Sequence, residues 1–241
     1  MMRTTSELTV REIAVENPAA TRVFETLGID YCCGGKRSLS AACAAANVPL
    51  ETAIGLLNAC DRTQESDVPN DAALGVITRH IVERHHGYVR SESPRIAGLL
   101  AKVCGKHGAA HPELSEVQSA FTALAADLAA HMMKEERILF PYIEALSGLV
   151  PPAACFDTVE SPIAAMIADH EDAGEILSKI RALTNGYQAP QGVCPTFQAL
   201  YRALEEFERD LHRHVHLENN ILFPRAISAE RELRNAAAPA N

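Results

Sequence analysis

His131-Met-Met-Lys-Glu135-Glu-Arg-Ile-Leu-Phe-Pro141 returns later in the chain as His214-Val-His-Leu-Glu218-Asn-Asn-Ile-Leu-Phe-Pro224. Both copies run His, three residues, Glu, then three residues ending in Ile before Leu-Phe-Pro. Residues four apart in an α-helix lie one turn above each other on the same face. Each copy therefore sets an imidazole beside a carboxylate, a ready pair of metal ligands.

Extended towards the N-terminus, each copy joins an apolar seam. Leu114, Val117, Phe121, Leu124 and Leu128 lead in steps of three and four to His131, Glu135 and Ile138. Phe197, Leu200, Leu204, Phe207 and Leu211 lead in the same way to His214, Glu218 and Ile221. A His and a Glu thus stand twice where a core residue is due. An unpaired buried carboxylate costs on the order of several kcal/mol, and a cation shared by the two copies satisfies both. The competing reading pairs each His only with its own Glu across one turn, which makes duplication at one depth a coincidence.

Two further helical patterns each add one seam histidine. Leu74, Thr78, Ile81, His85 and Tyr88 form one stripe, with His80 and His86 lying roughly 100° or more to either side of it. Ile163, Met166, His170, Ala173 and Leu177 form the other. His85 and His131 are 46 residues apart (131 − 85), and His170 and His214 are 44 apart (214 − 170), so the bundle reads as a duplicated helix pair. The expected ligands are His85, His131, Glu135, His170, His214 and Glu218. Two bridging glutamates would give each of two metal ions two imidazoles and two carboxylate oxygens. Imidazole and carboxylate without thiolate suit iron or manganese better than structural zinc. His80, His86, His212 and His216 read as flanking or solvated, His107 and His111 as turn residues, and Glu136 as exposed.

The rest of the chain frames these helices. With 241 residues and 47% apolar content but few aromatics, it suits an all-α fold of one sizeable core and a small second domain. A net charge of -9 disfavours nucleic acid or an anionic membrane as partner. Met1–Val10 has no apolar signal core and no stretch is long enough to cross a bilayer, so the expectation is cytoplasmic, with seven reduced cysteines. Residues 1–60 read as four short helices: Thr9 and Glu12 form a capping box, Asn17-Pro18 and Pro49 open helices, Gly28 ends one and Ser38 or Ser40 caps another. Polar residues 61–71 read as a linker. Residues 72–230 then hold four long helices: about Ala72 to Val103 with a kink at Pro94, Pro112 to the first Leu-Phe-Pro, Pro162 to Asn185-Gly186, and Pro195 onward. Each Leu-Phe-Pro is expected to bend or end its helix, and residues 231–241 to be a disordered tail.

In the small domain, Asp30-Tyr31-Cys32-Cys33-Gly34-Gly35 holds the only dense cysteine cluster. A disulfide between adjacent cysteines is strained and easily reduced, so the pair could exchange thiols, relay iron or pass electrons. The plainer alternative is a Gly-Gly turn with two incidental thiols.

His85, His131-x-x-x-Glu135, His170 and His214-x-x-x-Glu218 on four helices resemble the hemerythrin-like bundle. Together with Asp30-Tyr-Cys-Cys-Gly-Gly, His131-Met-Met-Lys-Glu-Glu and Leu217-Glu-Asn-Asn-Ile-Leu-Phe-Pro-Arg225, the chain is similar over about residues 5–228 to the di-iron iron-sulfur cluster repair proteins. The resemblance implies two non-haem iron ions, oxo- and carboxylate-bridged, and repair of clusters damaged by nitrosative or oxidative stress. It implies iron donation or a nitric oxide reductase-like activity, Cys32 and Cys33 as functional residues, damaged iron-sulfur proteins as partners, nitric oxide or oxygen as small ligands, and a homodimer as one arrangement. An oxygen or nitric oxide sensing module without repair activity is the alternative. Four seam histidines where oxygen-carrying hemerythrins have five argue against simple oxygen storage.

Overall fold

A computed structural model describes residues 5–60, 68–148 and 154–237. The regular structure of these residues is helical: α1 (Val10–Glu16), α2 (Ala20–Leu27), α3 (Leu39–Ala45), α4 (Leu50–Ala59), α5 (Leu74–His80), α6 (Gly87–His107), α7 (Glu113–Lys134), α8 (Phe140–Ala145), α9 (Glu160–Leu183), α10 (Pro195–Leu217) and α11 (Phe223–Ala237). Three π-helical turns, Ile81–His86, Glu135–Leu139 and Glu218–Leu222, join α5 to α6, α7 to α8 and α10 to α11 without a break. No single helix among the described residues is long and apolar enough to cross a membrane.

The chain forms two compact units, one from Met1–His80, Ile143–Ala154 and His212–Asn241, the other from Ile81–Tyr142 and Cys155–Leu211. Two of these divisions fall inside α8 and α10; of the expected linker at 61–71, residues 61–67 lie outside the described residues.

In the first unit, Thr9 caps α1 in a full capping box with Glu12, Gly28 closes α2 at φ 66°, and Ser38 caps α3. The core gathers Val10, Ile13, Phe24, Ile29, Tyr31, Leu39 and Leu57. Further polar ties reach the C-terminal segment: Arg213 makes a bidentate pair with Glu25, Asn70 Nδ2 donates to the Val15 carbonyl, and Arg225 donates to the Asn70 carbonyl. Where a tail was expected after Glu232, α11 continues to Ala237; residues 238–241 lie outside the described set.

In the second unit, α7 packs on both α6 and α9. Phe207 of α10 contacts Phe121 of α7 and Tyr88 of α6, and Arg181 of α9 pairs with Glu208 of α10. The expected seam positions Leu114, Val117, Phe121, Leu124, Leu128, Phe197, Leu200, Leu204, Phe207 and Leu211 are all buried. Pro94 lies inside α6, which runs on past it.

The π turns correct the expected register. In a π turn the N–H bonds five residues back rather than four, which inserts one residue and rotates everything after it by about a third of a turn. Phe140 N–H reaches the Glu135 carbonyl and Phe223 N–H the Glu218 carbonyl in this way. Ile138, predicted on the seam, is consequently 48% exposed, and Leu139 is buried in its stead. The wide turn also explains why Leu-Phe-Pro does not end either helix. Pro141 and Pro224 become the second residues of α8 and α11, where a missing N–H leaves no α-ladder bond unmade.

Candidate metal centre

In the second unit, His131 and Glu135 come from the end of α7 and the π turn after it, and His170 from the middle of α9. All three are buried, and each offers a ligand atom within 4.8 Å of the others. The His131 and His170 Nε2 atoms are 3.0 Å apart, so both rings aim at one point. Glu135 is fully buried and neither carboxylate oxygen has a hydrogen-bond partner. Instead, His131 Nε2 stands 3.3 Å from one oxygen and His86 Nε2 stands 3.4 Å from the other. Two imidazole nitrogens facing a desolvated carboxylate are the donor set a hard or borderline cation takes.

His86 is the residue the seam reading missed. The π turn Ile81–His86 advances the buried face by one residue, so His86 and Val89 are buried where His85 and Tyr88 were expected. His85 is buried too, but its Nδ1 lies 3.1 Å from Asp210 Oδ2, and it is not part of the cluster around Glu135. A signal for this exists in the sequence. Steps of three and four taken backwards from Val103 through Leu100, Ile96, Ser93 and Val89 arrive at His86, one residue out of phase with the stripe read forwards from Leu74.

Carboxylates behind the rings set their orientation. His86 Nδ1 is 2.6 Å from Glu136, which also pairs with Arg90, and His131 Nδ1 is 3.2 Å from Asp169, which Lys134 holds at 2.9 Å. Partial burial raises both carboxyls, but the hydrogen bonds from His86 and Arg90 to Glu136, and from Lys134 and His131 to Asp169, hold each below its ordinary value. An ionised acceptor at Nδ1 keeps the ring proton there and leaves the Nε2 lone pair directed inward. Glu136, read as exposed, is thus part of the support.

In the first unit, His214 Nε2 lies 2.9 Å from Glu218 Oε1, both residues being almost fully buried. His216, read as flanking or solvated, is buried against Tyr31, and desolvation pushes its imidazole down to about 4, so the ring is neutral. His107, the last residue of α6, and His111, in the turn that follows, pack around Phe197.

The cysteine loop belongs to this unit. The Asp30 carboxylate accepts from the backbone N–H groups of Cys32, Cys33 and Gly34 and folds the loop over itself. A Cβ at Gly34 would sit 2.9 Å from Asp30 Oδ2, so a larger residue there would have to displace the carboxylate that organises the loop. Cys32 Sγ lies 3.9 Å from Cys33 Sγ and 3.2 Å from Asp30 Oδ1, and the two are not joined in a disulfide. The hydrogen bond with Cys33, burial and the Asp30 charge push the Cys32 thiol well above its usual range.

Residues 78–226 match the family model described as Hemerythrin HHE cation binding domain, and residues 6–61 match one described as Domain of Unknown function (DUF542). The chain is 38% identical over 221 residues to a Pectobacterium atrosepticum protein named iron-sulfur cluster repair protein YtfE, covering 91% of this chain and 96% of the relative. It is 39% identical over 221 residues to a protein of the same name from Edwardsiella ictaluri, covering 90% and 95%. With the one from Escherichia coli O8 the identity is 35% over 220 residues, covering 91% and 96%.

Proposed function

The chain belongs to the family of iron-sulfur cluster repair proteins built on a hemerythrin-type cation-binding domain, and from that membership we propose that it restores iron-sulfur clusters damaged by nitrosative or oxidative stress in the cytoplasm. The observation that carries the reading is Glu135, buried with both oxygens lacking a hydrogen bond and met by the Nε2 atoms of His86 and His131. Burying a carboxylate in this way is costly without a cation, and orienting carboxylates on the far side of two rings prepare them to bind one.

The ligand set we favour is His86, His131, Glu135, His170, His214 and Glu218, with His86 in the place the seam reading gave to His85. The repeated phrase and the span of the family model support drawing the last two into the same centre as the first four. Two iron ions held there would supply positions open to nitric oxide or oxygen and, through their mostly neutral ligands, releasable iron. The chain's own contribution is to fix the imidazole lone pairs through Glu136 and Asp169 and to exclude water from Glu135. Damaged iron-sulfur proteins are the substrates, and Cys32 and Cys33 are the groups proposed to engage them.

Iron analysis of the purified chain together with reconstitution of a damaged cluster enzyme tests this. The expected result is about two irons per chain, by the donor count of such sites, and recovered enzyme activity that falls in Cys32→Ser and Cys33→Ser. Zinc alone, or iron that does not restore the client, overturns it; the second outcome leaves a sensing module.

A further inference from the structure

The two copies of the repeated phrase differ at five of their first seven positions, the third and seventh among them. In the first copy these are Met133 and Arg137, both exposed; in the second they are His216 and Asn220, both buried. Within the first unit the second pair faces the cysteine loop. Asn220 Nδ2 donates to the carbonyl of Tyr31, the residue before Cys32, at 3.1 Å, and lies 2.9 Å from His216 Nδ1. One amide thus directs one N–H to the loop and the other to a ring on its own helix. Arg11 donates to the Asn220 carbonyl at 3.1 Å, the His216 ring meets Tyr31 edge-on at 5.3 Å, and a Cβ at Gly35 would stand 3.3 Å from Asn220 Oδ1. Asn220 itself lies two residues after Glu218, inside the same π turn.

We infer that Asn220, braced by His216, latches the Cys32–Cys33 loop to the turn that carries Glu218, so that thiol accessibility and metal occupancy are coupled. The inference rests on the proposed metal centre and deepens it. A turn drawn to a metal ion through Glu218 cannot shift without moving the Tyr31 carbonyl, and coupling of this kind is reciprocal: whatever the metal does to the loop, a change in the loop does to metal affinity. Divergence of the two copies at these positions fits a second copy specialised to hold the loop, since Met133 and Arg137 meet solvent.

The test follows N-ethylmaleimide labelling of Cys32 and Cys33 in the full chain by mass spectrometry, iron-loaded and after chelation, with buried Cys43 as an internal standard for opening of the small domain. Iron should slow labelling of the pair roughly tenfold, the scale of one hydrogen bond, in the wild type and in Arg137→Ala. In Asn220→Ala the slowing should shrink to less than about twofold, with Cys43 still slow. Undiminished slowing in Asn220→Ala, or none in an iron-binding wild type, overturns the latch. Should Asn220→Ala expose Cys43, Asn220→Asp, which keeps the shape and removes the donor, is read by the same criterion. A wild type that binds no iron sinks the proposed function separately. The latch is then decided on the metal-free chain, where Asn220→Asp must speed Cys32 and Cys33 labelling and unchanged rates overturn it.

Discussion

Replacing Glu135 by methionine should stabilise the metal-free protein and destabilise the metal-loaded one. The carboxylate is fully buried and neither oxygen accepts a hydrogen bond, although two imidazole nitrogens approach to 3.3 and 3.4 Å. An unsatisfied buried polar group costs about 1–3 kcal/mol, more when charged, and exchanging buried ionic groups for packed apolar ones of similar size commonly gains about 1–4 kcal/mol. With the imidazoles offsetting part of the penalty, a gain of about 1–3 kcal/mol follows for Glu135→Met after chelation, or roughly 2–10 °C in Tm for a chain of this size. With iron present the order reverses. A ligand at a thousand times its Kd adds about 4 kcal/mol to a protein that binds it, and the variant forfeits that. Helix melting followed by circular dichroism at 222 nm, with and without chelator, measures both. A Glu135→Met protein that melts below the wild type when both are metal-free would show that the protein alone satisfies the carboxylate, and the argument for a cation at this point would fail.

The two neighbouring histidines separate cleanly. His86→Ala should lose most bound iron, whereas His85→Ala should retain it and instead lose about 3 kcal/mol of stability by leaving Asp210 buried without its imidazole; iron content and melting measured on both variants would contradict the register argument if the effects were swapped. Asp169→Asn should weaken metal affinity about 10- to 100-fold by loosening the His131 ring, and competition with a chromophoric chelator that finds wild-type affinity would remove Asp169 from the centre. Alkaline titration gives a fourth check. Burial first, and nearby carboxylates second, raise Tyr88 from 10.0 to about 12 and hold Tyr31 well above 10.0, and burial with Glu113 lifts Tyr201 to about 12. Because the neutral phenol is the form folding favours, its contribution to stability is whole below pH 10 and is lost as pH rises through 10 towards 12. Phenolate absorbance at 295 nm should therefore rise together with loss of helix, and four of the five tyrosines titrating near pH 10 in an intact fold would refute this.

Much of the bundle was legible because its signal is redundant. Each seam repeats an apolar residue every three or four positions over several turns, so one anomaly cannot hide the period, and a His and a Glu falling on that period stand out against it. His131, Glu135 and His170 could be found in this way, and the structure gathers them around one point. The capping box at Thr9 and Glu12, the glycine closing α2 and the Asn185-Gly186 stop were equally readable, since each rests on a few adjacent residues. The partners on Nδ1 were not, because Asp169 and Asp210 lie 38 and 125 residues from the rings they orient, and no local period carries that information.

His86 and Leu139 went unread for a different reason, which also bears on how the site works. A seam extrapolated at 3.6 residues per turn assumes an unbroken α-ladder, and in this chain the ladder widens at Ile81–His86, Glu135–Leu139 and Glu218–Leu222. Each wide turn contains or ends on a carboxylate or imidazole of the proposed ligand set. An α-helix fixes side chains at 100° intervals, too coarse to aim a ligand at a cation from the helix's core packing alone. A single inserted residue rotates the ligand independently of the apolar residues that precede it, so Ile81 can stay packed while His86 turns inward, and Leu128 can stay packed while Leu139 replaces Ile138. Such a turn gives up regular hydrogen bonding for aim, and it recurs where the chain has a ligand to place. The Leu-Phe-Pro motif follows from the same geometry. A proline two residues past the wide turn cannot be drawn into an α-ladder continuing through it, so Pro141 and Pro224 disfavour the regular helix that would carry Glu135 and Glu218 out of position. Substituting either proline by alanine should let the turn relax towards α geometry and weaken iron binding without unfolding the bundle, and an unchanged iron affinity in Pro224→Ala would show that the turn is held by packing alone.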